Sequence, residues 1–292
     1  MAAELYCAHF GFSERPFSLS PDPEFLFWSK GHNRAFSVLE YGLVTNAPLT
    51  VVTGEVGTGK TTLIQALLKH VSDEITLGLI SNAQGDRGDL IRWVLNALDV
   101  PLPELGDYVS LFQHFQDFVL KEYAAGRRVA LIIDEAQNLG AEMLEELRML
   151  TNINSGKDEL LQIILTGQPE LRTLITRPEL RQFAQRVTAT FHIDPFNRTD
   201  TISYVQHRLQ HVGGTGEEFE QLAVRHIHDH SEGIPRIINK LCDLSLVYAA
   251  SSGLDTVGPA TVREVFKDGL VLKSENTPIF LAPWREEKKA AE

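Results

Sequence analysis

Apolar residues along the chain fall into two alternating rhythms. Short continuous runs, rich in β-branched residues, occur at Thr50–Thr53, Thr76–Ile80, Val129–Ile133, Leu161–Leu165 and Thr190–Ile193. Runs of this length bounded by turn residues predict buried strands. Between them, apolar positions recur three and four apart, predicting helices around Lys60–Val71, Asp89–Leu98, Val109–Ala125 and Ala141–Asn152. Strands alternating with helices imply parallel pairing, hence an α/β fold with a parallel five-stranded sheet between helices.

The β rhythm stops after "HIDPFNRTD". Helical spacing continues over Thr199–His211, with Asp200 or Thr199 as its expected cap, and over Glu218–His230, Pro235–Ser251 and Pro259–Leu270. This predicts a small all-helical lid domain. Ahead of the first strand, "FGFSERPFSLSPDPEFLFWS" is rich in proline and aromatics, and "GHNRAFSVLEYGLVT" reads as a helix with Ala35, Val38, Leu39 and Leu43 on one face. The expected organisation is a lead-in at 1–48 packed on the core, an α/β nucleotide-binding domain at 49–195, the lid at 196–270 and a polar tail at 271–292. Within that tail, "PIFLAPW" is the one stretch suited to docking on a partner.

The junction between the first strand and its helix carries the chemistry. The spacing Gly54-x-x-x-x-Gly59-Lys60-Thr61 fits a phosphate-cradling P-loop, the Walker A pattern. Its glycines let backbone N–H groups of Glu55, Val56, Gly57 and Thr58 turn inward toward anionic oxygens. The positive end of the following helix aims at the same spot, with Lys60 to reach the outer phosphates and Thr61 and Thr62 opening the helix. Thr61 is the expected magnesium ligand on this side. ATP and Mg2+ are the expected ligands.

A second motif, "RRVALIIDEAQNL", delivers Asp134 and Glu135 at the C-terminal end of a buried strand, the edge at which open α/β sheets bind ligands. Asp134 is placed to hold hydrated magnesium, and Glu135 to orient the attacking water of an ATP hydrolysis.

Composition narrows the class without changing this picture. The 292 residues are 43% hydrophobic and 23% charged, ordinary for a globular chain with a sizeable core. No apolar run approaches the roughly 20 residues that span a bilayer. The N-terminus lacks the pattern of a secretory signal, and Cys7 and Cys242 stand far apart, so a reducing cytoplasm is expected. A net charge of −12 argues against nonspecific coating of nucleic acid, although Arg172, Arg177, Arg181 and Arg186 cluster and suit DNA or a neighbouring subunit. The histidine pairs His207/His211 and His226/His230 share helix faces but lack a third ligand for zinc.

Walker A, the acid pair and the helical lid together resemble the AAA+ ATPases. The resemblance implies a sensor-1 residue after the fourth strand, either Thr166 or Gln168 in "LLQIILTGQPEL". It implies an arginine finger for the adjacent subunit's nucleotide, Arg186 first and Arg181 second. It also implies a sensor-2 arginine, Arg236 in "GIPRIINKLCD", a switch residue at Asn82 that restrains the catalytic carboxylate, and adenine contact near Gly31 and His32.

Residues 8–270 are worded more narrowly, resembling the general secretion pathway protein A (GspA/ExeA-type) ATPases, which are similar to exosortase- and exopolysaccharide-associated ATPases and related to transposition ATPases of the TniB and MuB type. This implies a homo-oligomer, ring or helical filament, that binds ATP between subunits and energises or positions an envelope secretion or polysaccharide-export system. It would be cytoplasmic or peripheral at the inner membrane through a partner, without a direct membrane span. DNA binding in transposition target selection is the alternative that the same resemblance carries. No peptidoglycan-binding segment accompanies the motifs, which argues against direct cell-wall remodelling.

Overall fold

The computed structural model describes residues 2–72, 74–81, 83, 89–102, 107–155 and 158–269. Five strands, β1 (Leu49–Gly54), β2 (Ile75–Ser81), β3 (Arg128–Asp134), β6 (Leu161–Gly167) and β7 (Val187–Ile193), form one parallel sheet ordered β2-β3-β6-β1-β7. A two-residue hairpin pair, β4 (Asn154–Ser155) and β5 (Asp158–Glu159), lies just before β6. The continuous apolar runs of the sequence are explained by the sheet's position, since β1, β3 and β6 are covered on both faces. Alternate residues separate cleanly between two cores. Val51, Leu131, Ile133, Ile163 and Leu165 face one cluster, while Val52, Ala130, Ile132 and Ile164 face the other.

The first cluster is closed by α4 (Asp89–Ala97), α5 (Tyr108–Ala124) and α6 (Ala141–Leu150), with α7 (Pro169–Ile175) and α8 (Arg181–Arg186) at its margin. The second is closed by α2 (Lys30–Val44) and α3 (Lys60–Leu68), which contribute Leu39, Leu63 and Leu67. Helix α3 ends at Leu68, shorter than the apolar spacing alone suggests.

A third cluster belongs to the lid, built from α9 (Arg198–His211), α10 (Gln221–Ser231), α11 (Pro235–Ser251) and α12 (Pro259–Lys267). The cap of α9 is Asn197, whose side chain accepts the Asp200 backbone N–H, rather than the expected Thr199 or Asp200. Helix α10 starts at Gln221, three residues past the expected Glu218, because Glu218 instead accepts the backbone N–H groups of Thr215 and Gly216.

The lead-in divides between the two bodies. A first helix, α1 (Ala2–Phe10), packs on α11, and Tyr6, Phe12, Phe17 and Phe25 are buried in the lid's cluster. Helix α2 packs on the sheet, and Leu26 joins the same cluster. Tyr6 donates to Asp243 at 2.5 Å, and Arg15 also donates to Asp243, so that the lid's longest helix is strapped to the front of the chain. Among the described residues no helix is long and apolar enough to cross a membrane, and no group of three His, Cys, Asp or Glu residues could hold a metal ion by itself.

Candidate functional site

The C-terminal ends of β1 and β3 open at one edge of the sheet, with β6 between them. From β1 the chain turns through Glu55–Gly59, closed by Thr58 N–H and Oγ1 to the Glu55 carbonyl at 3.2 and 2.8 Å. Gly57 and Gly59 have φ of 84° and 94°, the left-handed region where a side chain would be strained. Gly59 is also the residue that admits α3, whose first turn leaves its N–H groups facing the loop.

Lys60 is buried and folds back over the loop, donating to the Gly54 and Glu55 carbonyls at 2.8 and 3.0 Å. Burial lowers its pKa, and the neighbouring carboxylates of Glu135, Asp134 and Glu55 oppose that shift. The next residue joins the two motifs: Thr61 Oγ1 donates to Asp134 Oδ2 at 2.7 Å. Asp134 is fully engaged, because Oδ1 accepts from Thr166 Oγ1 at 2.6 Å and from the Glu135 N–H at 3.0 Å.

Glu135 follows in left-handed backbone, φ 54° and ψ 38°, an uncommon state for a residue with a side chain. Its Oε2 accepts from Gln137 at 2.6 Å and from Gln168 at 3.2 Å. Both sensor-1 candidates therefore reach the acid pair. Thr166 touches Asp134, and Gln168 touches Glu135.

On the far wall, His32 is buried between the start of α2 and the loop. Its Nε2 lies 2.9 Å from the Thr58 carbonyl and its Nδ1 2.8 Å from Ser29 Oγ. A carbonyl only accepts, so Nε2 carries the proton and Nδ1 accepts from the serine hydroxyl. Burial pulls the His32 pKa below its usual value.

The lid closes the remaining side. Pro235 and Arg236 open α11, and the Arg236 N–H donates to the Gly57 carbonyl at 3.2 Å. A Cβ on Gly57 would stand 2.5 Å from Arg236 Cβ, so loop and lid meet at backbone distance. Between them lies a cleft of about 260 Å³, lined by Val56–Thr62, His32, Glu135 and Arg236 together with Ser18–Asp22, Tyr204, Arg208 and Asn239.

The last group was not apparent from the sequence. Arg208, which spacing alone would leave on a solvated helix face, is buried beneath the lead-in. It donates to the Pro16 carbonyl at 2.5 Å and stacks 4.3 Å from the centroid of Phe25. Gln137 was likewise missed; one partner, Gln168, is 31 positions away, and only its place two residues after Glu135 hinted at a role.

The arginine cluster stands elsewhere. Val187 pairs with Leu49 at the beginning of β1, which puts Arg186 at the opposite edge of the sheet from the loop. Arg186 bonds to Glu159 at 3.4 Å and to Asn152, whereas Arg181 is exposed at the start of α8. Asn82 and the tail at 271–292 lie outside the described residues.

The donor set suits a magnesium-bound nucleoside triphosphate. Inward N–H groups at a helix start, an ammonium, a hydroxyl and a carboxylate share one cleft, and the glycine cradle is one that a Cβ would fill. Sheet order, loop and lid define an AAA+ P-loop fold. Solved structures with this fold include the ORC2 protein of Aeropyrum pernix (17% identical, TM-score 0.65, covering 87% of this chain and 71% of that one). Cdc6p of Pyrobaculum aerophilum is also similar (17% identical, TM-score 0.67, covering 89% and 72%). An AAA domain family model matches residues 44–175.

This AAA+ chain is similar to General secretion pathway protein A of Aeromonas hydrophila, being 40% identical to it over 249 residues, 85% of its own length. It spans about half of that relative's length, 46%.

Proposed function

We propose that this chain binds ATP with Mg2+ in the cleft between β1, β3 and the lid, and hydrolyses it to ADP and phosphate. The observation that carries the reading is the Thr61–Asp134 hydrogen bond, which brings a helix-start hydroxyl and a strand-end carboxylate together beside Lys60 and Glu135. Bound magnesium supplies charge neutralisation at the phosphates. The chain's own residues do the rest. Thr61 and Asp134 hold the ion, Lys60 exchanges its loop carbonyls for phosphate oxygens, and Arg236 covers the phosphates from the lid. Glu135 orients the attacking water and takes its proton, so that catalysis is positioning and charge placement.

The proposal extends to assembly. An arginine at the far edge of the sheet cannot serve its own loop, which supports Arg186, or the exposed Arg181, as a finger for the adjacent copy in a homo-oligomer. The likeness to General secretion pathway protein A supports a cytoplasmic role, peripheral at the inner membrane, energising or positioning an envelope secretion or exopolysaccharide-export system.

Steady-state phosphate release tests the core of the reading. Glu135→Gln should retain binding of a non-hydrolysable ATP analogue and lose turnover by at least about 10²-fold. A Glu135→Gln protein that hydrolyses at the wild-type rate would remove its assigned role. Mass measured with and without the analogue tests assembly, and an unchanged monomer contradicts it.

A further inference from the structure

We propose that Gln137 is a positioning residue for the Glu135 carboxylate, seated by Gln168 and by the bare α-carbon of Gly167. The inference rests on the reading of Glu135 as the group that orients water. Three contacts build the seat. Gln137 Nε2 donates to Glu135 Oε2 at 2.6 Å, and Gln168 Nε2 donates to the same oxygen at 3.2 Å. The Gln137 Oε1 atom accepts the Gln168 backbone N–H at 3.0 Å.

That last contact fixes the amide's orientation. A backbone N–H only donates, so the oxygen of Gln137 faces it and the NH2 group faces Glu135. Gly167 makes the approach available. A Cβ there would stand 2.8 Å from Gln137 Oε1 and 2.8 Å from Leu171 Cδ2, leaving no room for the amide in its present place.

Glu135 requires such support because its backbone is in the left-handed region, with φ 54°. A side chain leaving that conformation is aimed by its neighbours rather than by a regular strand. Two neutral N–H donors on one carboxylate oxygen fix its rotation. They do so without adding a positive charge that would compete with Lys60 for the phosphates. The same interactions tie Glu135 to the start of α7, since Gln168 is the residue that caps it.

The test is kcat, KM and analogue affinity for Gln137→Ala, Gln137→Glu, Gly167→Ala and Gln168→Ala. For Gln137→Ala and Gly167→Ala, kcat should fall about 10- to 10²-fold, as expected for a misplaced catalytic group. KM and analogue affinity should stay within about threefold, because only the carboxylate moves. Gln137→Glu keeps the size of the side chain and removes its donors, so it should be at least as slow as Gln137→Ala; a space-filling role predicts that it is harmless.

Unchanged kcat in folded Gln137→Ala overturns the proposal, as does a parallel fall of kcat and analogue affinity. If Gln137→Ala does not fold, Gly167→Ala and Gln168→Ala probe the same contact from its other side, and wild-type kcat in both overturns it equally. A wild-type protein without turnover instead defeats the ATPase reading itself, and this inference with it.

Discussion

Thr61 and Asp134, 73 positions apart in sequence, are joined side chain to side chain at 2.7 Å. The bond spans β6, because β1 and β3 are not neighbours in the sheet. It links two motifs carried at separate strand ends and sets their two oxygens side by side.

Asp134→Asn preserves shape and removes charge. Its expected effect is loss of magnesium-stimulated phosphate release by about 10²-fold or more, with Thr61→Val shifting in the same direction. A magnesium titration of turnover checks this. Wild-type stimulation in Asp134→Asn would mean that the ion is held elsewhere.

The two finger candidates separate by complementation. Arg186→Ala should lose about 10³–10⁵ in the turnover of the assembled protein while keeping analogue affinity. Mixed with Glu135→Gln, it should regain part of that activity, because one mixed interface pairs an intact arginine with an intact carboxylate. If Arg181→Ala alone behaves this way, Arg186 is confined to its contacts with Glu159 and Asn152.

Phe17 is fully buried in the lid's cluster, its ring 6.0 Å from that of Phe219. Truncation to Phe17→Ala should destabilise the protein by about 3–5 kcal/mol. Denaturant unfolding measures it. A loss below about 1 kcal/mol would show that the lead-in contributes little to the lid.

Glu122 should contribute a stability that acid removes. Its bonds to Arg127, followed by the hydroxyl of Thr76, draw its pKa from 4.5 down to about 2. A group whose folded pKa is depressed contributes stability above its unfolded pKa and loses it as pH falls. The contribution should therefore be complete above about pH 4.5 and lost progressively toward pH 2. In Glu122→Gln that part of the pH dependence of unfolding should vanish; an unchanged acid slope would assign it to other carboxylates.

Much of the fold was legible because it is written locally. The central strands β1, β3 and β6 are near-continuous apolar or β-branched runs because they are buried on both faces, β2 and β7 are partly exposed, and all five were found within a few residues of their ends. Thr166 and Gln168 could be singled out as alternatives from position alone. The structure brings them to different acids, Thr166 to Asp134 and Gln168 to Glu135.

What escaped the sequence depends on distant partners. Helix α1 has no strong stripe of its own, and its partner α11 begins at Pro235. Arg208 carries no mark of burial until Pro16 and Phe25 lie over it. The cap of α9 was displaced by one turn signal, since Asn197, Thr199 and Asp200 all suit the position and only geometry selects among them.

The strap between Tyr6 and Asp243 also orders events in time. These residues are 237 positions apart, so the aromatic side chains of the first helix and its following loop leave the ribosome long before α11 exists to receive them. The sheet can close on its own local crossovers while the lid waits for the last quarter of the chain. Contacts of such sequence separation slow folding and leave sticky surface uncovered meanwhile. Nascent chains stalled before Asp243 should therefore engage general chaperones through their N-terminal phenylalanines, and release them when synthesis passes α11.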